Sequence, residues 1–140
     1  MSFFIIDASI AAKWFINEEY SDEALSLLQK GSQLHSPDFF LLEMDSIISK
    51  WVRRTSISNE EAFELRNALK QYPISYHPFT LLLDTAFSIS LETGQSIYDC
   101  TYVCLAAALK GRMVTADGRL SEALKSSRYK DYILWIGDLP

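Results

Sequence analysis

The sequence predicts an α/β protein: a mostly parallel sheet of about five short strands with helices on both faces. Short apolar runs such as "FFIID" and "YILWIGD" are separated by one or two stretches of helical pattern. Strands joined in that way form right-handed crossovers and a parallel sheet covered on both sides. No repeat, low-complexity stretch or Pro/Gly/Ser-rich linker interrupts the 140 residues, so one domain is expected over 1–140.

In order, "FFIID" is an apolar run ending in Asp and reads as a buried strand. "ASIAAKWFI" and "SDEALSLLQKG" read as helices, the second stopped by Gly31. "QLHS" is a weak short strand. Ser36 and Pro37 are expected to open the long helix in "DFFLLEMDSIISKWVRR", as its cap and first residue. "SNEEAFELRNALKQY" is a further helix, with Ser58 and Glu61 at capping-box spacing. "ISYHPF" is a candidate strand, and "TLLLDTAFSISLETG" is a helix ending at Gly94. Ser96 begins the helix "IYDCTYVCLAAAL"; "RMVTAD" is a strand running into a turn, "GRLSEALKSS" a short helix and "YILWIGD" the last strand.

Composition narrows the classes of function. Hydrophobic residues make up 49% and charged residues 22%, which is globular rather than disordered. The net charge of −5 argues against a general polyanion binder, since nucleic-acid affinity rests on Lys and Arg. That excess lies in residues 1–95, with 7 basic and 13 acidic side chains; residues 96–140 have 6 and 5. The start "MSFFIIDAS" lacks the basic region and long apolar core of a signal peptide, and "CTYVCLAAAL" is too short to span a bilayer. Cys100 and Cys104, four apart with no nearby His, are expected as reduced core residues in a cytoplasmic protein.

Four acids stand out. Asp7 and Asp117 follow predicted strands, at the end of a parallel sheet where ligands bind. Asp99 and Glu43 interrupt apolar helices; Phe39, Phe40 and Ile47 share the face of Glu43. Taken singly, Asp7 and Asp117 suit N-caps and Asp99 pairs with Ser96. Taken together, four converging carboxylates would repel one another unless a cation lay among them. Oxygen ligands suit Mg²⁺, and one or two ions there suit phosphodiester hydrolysis by a metal-activated water. Two bound Mg²⁺ ions would cancel four of the five excess negative charges, so the acidic total is no strong objection to RNA as substrate.

"IIDASIAAKWFINEE", "SPDFFLLEMDSIISK", "SIYDCTYVCLAAALKGRMVTADGRL" and "ILWIGDL" resemble, in order, the successive blocks of PIN-domain ribonucleases, and most of all VapC-type toxins of toxin–antitoxin pairs. The resemblance implies a Rossmann-like sheet and Mg²⁺- or Mn²⁺-dependent cleavage of single-stranded RNA. It also implies inhibition by a cognate antitoxin and, commonly, a homodimer. The family's acids map onto Asp7, Glu43, Asp99 and Asp117, and its small hydroxyl residues onto Ser9 and Thr115. Ser46 stands where related proteins often carry Asn, and Asp45 beside it is read as a surface charge.

Lys13, Arg112 and Arg119 are candidate RNA contacts, against the plainer reading of solvated surface bases; Trp14, Phe15, Tyr20 and Trp51 are candidates for base stacking or a partner groove, with core packing the safer reading of Trp14 and Trp51 at helical spacing. An Asp-nucleophile phosphatase would want a second Asp two residues after the first, where this chain has Ser9. A receiver-like domain would want an acid pair at the first strand end and a later buried Lys, and neither is evident. The remaining alternative is a catalytically decayed PIN-like scaffold that binds RNA or a protein without cutting; retention of all four acids argues against it.

Overall fold

A computed structural model describes residues 3–29 and 31–140. Lys30, expected within the second helix, lies outside the described residues. Strands β1 (Phe3–Ile6), β2 (Gln33–Pro37), β3 (Ile74–His77), β4 (Arg112–Thr115) and β5 (Ile133–Trp135) form one sheet in the order β3-β2-β1-β4-β5. Every pairing is parallel. The helices are α1 (Ala8–Ala12), α2 (Ser21–Gln29), α3 (Phe40–Arg53), α4 (Asn59–Lys70), α5 (Leu83–Thr93), α6 (Ile97–Leu109) and α7 (Gly118–Lys125).

Alternation along the central strands builds a core on each face. Phe4 and Ile6 of β1 join Val114, Leu34, Met44 and Ile48 beneath α1–α4. Ile5 turns the other way and joins Met113, Val103, Leu105, Leu120 and Leu124 beneath α5–α7. Ile5 and Ile6 are fully buried, each stabilising the fold by roughly 2 kcal/mol. Cys100 and Cys104 are buried and unbridged in the second core, as expected. None of the helices formed by the described residues is long and apolar enough to cross a membrane.

Helix limits follow local chemistry. Ser58 and Glu61 complete a reciprocal capping box on α4. Gly94, at φ +73°, takes the left-handed conformation that ends α5 at little cost, and Gly31, two positions past the last residue of α2, is left-handed too at φ +64°. The opening of α3 differs from expectation. Ser36 and Pro37 belong to β2, and the helix begins only at Phe40, with no side-chain bond at its cap. The Ser36 hydroxyl is buried and donates to the Ile6 carbonyl at 3.0 Å, so it serves the sheet. Pairing of β2 with β1 stops at His35, so the N–H that Pro37 lacks is not needed on that side.

The strand order places a topological switch between β1 and β4: from β1 the chain winds outward to β2 and β3, then returns to β4 and β5 on the other side. Crevices at such points, beyond the carboxyl ends of the strands, are where open α/β sheets hold ligands. Asp7 follows β1 directly and Asp117 lies two residues beyond β4.

Candidate metal centre

All four predicted acids line one cavity of about 250 Å³ at this switch point, together with Ser9, Ile47 and Tyr102. Each is delivered by a different element, and for three of them one carboxylate oxygen has a structural role. Asp7 caps α1: its Oδ1 accepts from the Ile10 N–H at 3.1 Å and from the Ser9 hydroxyl at 2.6 Å. Asp117 caps α7, its Oδ1 accepting from the Arg119 and Leu120 N–H groups at 3.0 and 3.2 Å. Glu43 is anchored through Oε1 by the Tyr102 hydroxyl, which donates at 2.6 Å. Among the described residues each uses a single oxygen for structure, and the second is left without a protein partner. Capping therefore does not use up either aspartate's carboxylate. Asp99 sits in the first turn of α6, its backbone N–H held by the Ser96 hydroxyl at 3.1 Å.

Electrostatics confirm that the acids sense one another. Burial raises the pKa of Asp7 to about 6; the Ser9 and Ile10 hydrogen bonds oppose this, and the charges of Asp99 and Glu43 add to it. Burial also raises Glu43, against the Tyr102 hydrogen bond and with help from Asp99. Asp99 is raised by burial, against the Ser96 hydroxyl, with Asp117 adding repulsion. Among the described residues no Lys or Arg lines this cavity. Such a set of uncompensated hard oxygens fits Mg²⁺ or Mn²⁺ and excludes the soft-ligand metals. Among the described residues no three His, Cys, Asp or Glu side chains are placed so that together they could hold one metal ion. Mg²⁺ needs only one or two carboxylates directly and keeps water elsewhere.

The supporting candidates separate. Ser9 orients Asp7 and lines the cavity. Thr115 is fully buried, and its hydroxyl accepts from the Asp117 N–H at 3.0 Å, setting the turn that presents that acid. Lys13 lies in an adjoining cleft, its ammonium bound to Glu18 Oε1 at 3.0 Å and the Glu19 carbonyl at 2.8 Å. Arg119 is exposed on the first turn of α7. Arg112 begins β4, at the opposite end of the sheet, and lines a larger cavity of about 460 Å³ there with Lys110 and Asp131. The structure thus does not bring Arg112 to the acids. Asp45 points to α4 and pairs with Arg66 at 2.7 Å, and Ser46 is exposed outside the cavity lining. Tyr102 escaped the sequence reading. Its position three residues after Asp99 puts it one helical turn along the same face, which is the signal that could have found it.

A parallel sheet in this order, with carboxylates from the end of β1, from α3 and α6 and from the turn after β4 lining one cavity at its switch point, defines an α/β protein with an acidic pocket at the carboxyl end of its sheet. Residues 4–125 match the model of the PIN domain, and the chain belongs to that family. Among its relatives, Ribonuclease VapC3 of Pyrobaculum aerophilum is 29% identical over 120 residues, covering 84% of this chain and 92% of the relative. Ribonuclease VapC12 of Mycobacterium tuberculosis is 26% identical over 119 residues, covering 85% and 90%. In three dimensions the chain is similar to VapBC2 from Rickettsia felis, crystallised with a DNA fragment from their promoter. That match has a TM-score of 0.66 at 16% identity and covers 95% of this chain and 98% of the other. VapC20 of Mycobacterium tuberculosis, described as a Sarcin-Ricin loop cleaving toxin, gives 0.64 at 16% identity, covering 86% and 94%. At those identities the structural likenesses speak to fold alone.

Proposed function

We propose that this protein is a Mg²⁺- or Mn²⁺-dependent endoribonuclease and the toxin of a toxin–antitoxin pair. The observation that carries the reading is the cavity of four carboxylates in which Asp7, Glu43 and Asp117 are each fixed through one oxygen and keep the other. The relatives are ribonucleases by name, which supports RNA as the substrate class. Asp7, Glu43, Asp99 and Asp117 would hold the metal, which when bound supplies Lewis acidity toward the phosphate and activates water for attack. The chain's own part is to hold the acids rigidly, Asp7 by Ser9 and the α1 N-terminus, Glu43 by Tyr102, and Asp117 by the first turn of α7. No side chain is required as nucleophile.

The test is cleavage of a defined single-stranded RNA with Mg²⁺, Mn²⁺ or EDTA, beside Asp7→Asn and Asp99→Asn. Metal-requiring cleavage that disappears in both folded variants is expected. Activity that survives in the variants, or its absence with no metal effect on melting temperature, would sink the reading.

Two partners belong to it. A cationic segment of an antitoxin, carrying Arg, would pair with the uncompensated acids and block them; full cleavage in the presence of a co-purified partner would refute this. A second copy would cover the exposed apolar stripe of α5, where Leu83, Phe87 and Leu91 recur every fourth residue and are 36%, 58% and 72% exposed. Phe87→Asp should then yield monomers by sedimentation, and an unchanged mass would remove that role from the stripe.

A further inference from the structure

A second cleft, of about 380 Å³, opens beside the acid pocket and shares Ser9, Ile47 and Asp117 with it. Its walls are apolar, formed by Ile16, Ile47, Ala116 and the half-buried indole of Trp51, which is backed by the core beneath α1–α4. Besides Asp117 at the shared edge, its charged members are the ion pair of Lys13 and Glu18. The Lys13 side chain is only 11% exposed, and its ammonium is 3.0 Å from Glu18 Oε1. Among the described residues, Glu18 and the Glu19 carbonyl take two of its three donors, so one is left. A lysine already neutralised by a carboxylate is a poor phosphate clamp. Beside an aromatic wall, a donor next to an acceptor is suited to the edge of an unstacked nucleobase.

We propose that this cleft is a base-binding subsite for the nucleotide flanking the scissile phosphate, with preference for guanine. This rests on the ribonuclease reading above. The base packs against Trp51 and Ile47, and its edge meets Lys13 and Glu18. Every base offers one acceptor beside one donor, but guanine alone sets two donors, N1–H and the N2 amine, beside its O6 acceptor. It can therefore engage both oxygens of Glu18 while O6 takes the free Lys13 donor. Lys13 and Glu18 are then specificity-determining residues, distinct from the metal-holding acids.

Titration of the four nucleoside 5′-monophosphates into the protein with Mg²⁺, followed by tryptophan fluorescence, tests the subsite without needing cleavage. GMP should quench at about tenfold lower concentration than CMP. The quench should vanish in Trp51→Phe, and the preference should collapse in Glu18→Gln. Equal quenching by GMP and CMP, or a quench that persists in Trp51→Phe, overturns the proposal. So does silence from every nucleotide with Trp51 shielded instead by a co-purifying protein, which would assign the cleft to a protein partner. Mapping cleavage sites in a mixed-sequence RNA separates the two readings. Metal-dependent cleavage with no preference for flanking guanine removes the subsite and leaves the nuclease. Guanine-selective quenching without cleavage keeps the subsite and removes the nuclease.

Discussion

Helix α3 carries two acids two residues apart that meet opposite fates. Asp45 faces α4 and is answered by Arg66 through two hydrogen bonds, of 2.7 and 3.1 Å, at the surface. Glu43 faces the sheet and is answered only by a neutral phenol. Glu18, Glu92 and Glu122 likewise have a Lys or Arg within ion-pair distance; the four pocket acids have none among the described residues, and Asp7, Glu43 and Asp99 are in addition wholly or partly withdrawn from water. A buried charge with no balancing cation is costly, which is why burial raises the pKa of Asp7, and under the proposed function a bound cation would offset that cost.

The sharpest way to break this contrast is Asp7→Asn. Asn caps a helix about as well as Asp, so α1 should persist while cleavage falls on the order of a hundredfold or more, read from initial rates on a defined RNA. The same variant tests the charge imbalance through stability. Because Asp7 titrates near 6 in the fold and near 3.8 ordinarily, the folded state holds the proton more tightly. In EDTA, wild-type stability should be highest below about pH 4 and fall by about 3 kcal/mol as pH rises past 6. Glu43 and Asp99, raised in the same sense, steepen that fall. Calorimetric melting should show a flatter profile for Asp7→Asn, and Mg²⁺ should raise the wild-type midpoint above pH 6 but leave the variant nearly unmoved. A wild-type midpoint that climbs between pH 4 and 6 in EDTA would contradict the burial argument.

Tyr102→Phe should have an intermediate effect. Glu43 loses its only anchoring donor, costing about 1–3 kcal/mol and about tenfold in cleavage, with weaker metal response in the melting curve. Asp45→Asn, two residues from Glu43 in sequence, should be the mildest. Cleavage should stay within about twofold of wild type, because an exposed ion pair contributes little. Equal damage from Asp45→Asn and Tyr102→Phe would erase the distinction between the two sides of α3.

The division between what could and could not be read from the chain follows the same physics. "FFIID" and "RMVTAD" announced central strands because burial on both faces demands apolar runs, and the acids after them followed from strand polarity. The capping box at Ser58 was legible because its chemistry is local. Ser36-Pro37 carries the local signature of a helix start, yet a tertiary bond from the Ser36 hydroxyl to Ile6 and the pairing of Pro37 with His77 hold both residues in the sheet. Tyr102 was half legible: its spacing from Asp99 puts it on the same face of α6, but its bond to Glu43, 59 positions earlier, depends on tertiary packing. Arg112 looked close to Asp117 in sequence, but a strand separates them and sets them at opposite ends of the sheet.

That separation gives Gly111 an influence at a distance. A Cβ at this position would fall within contact range of the Phe3 carbonyl and 2.9 Å from the Phe3 Cβ, at the amino end where β1 and β4 first meet. The neighbouring Lys110, at φ 56°, already completes the tight turn out of α6. Any larger residue would wedge the two strands apart at their base, and the lever arm of the strands would carry the displacement to Asp7 and Asp117 at their tips. In a library of single substitutions, Gly111 should therefore score with the acids themselves, a calliper set at one end of the sheet and read at the other.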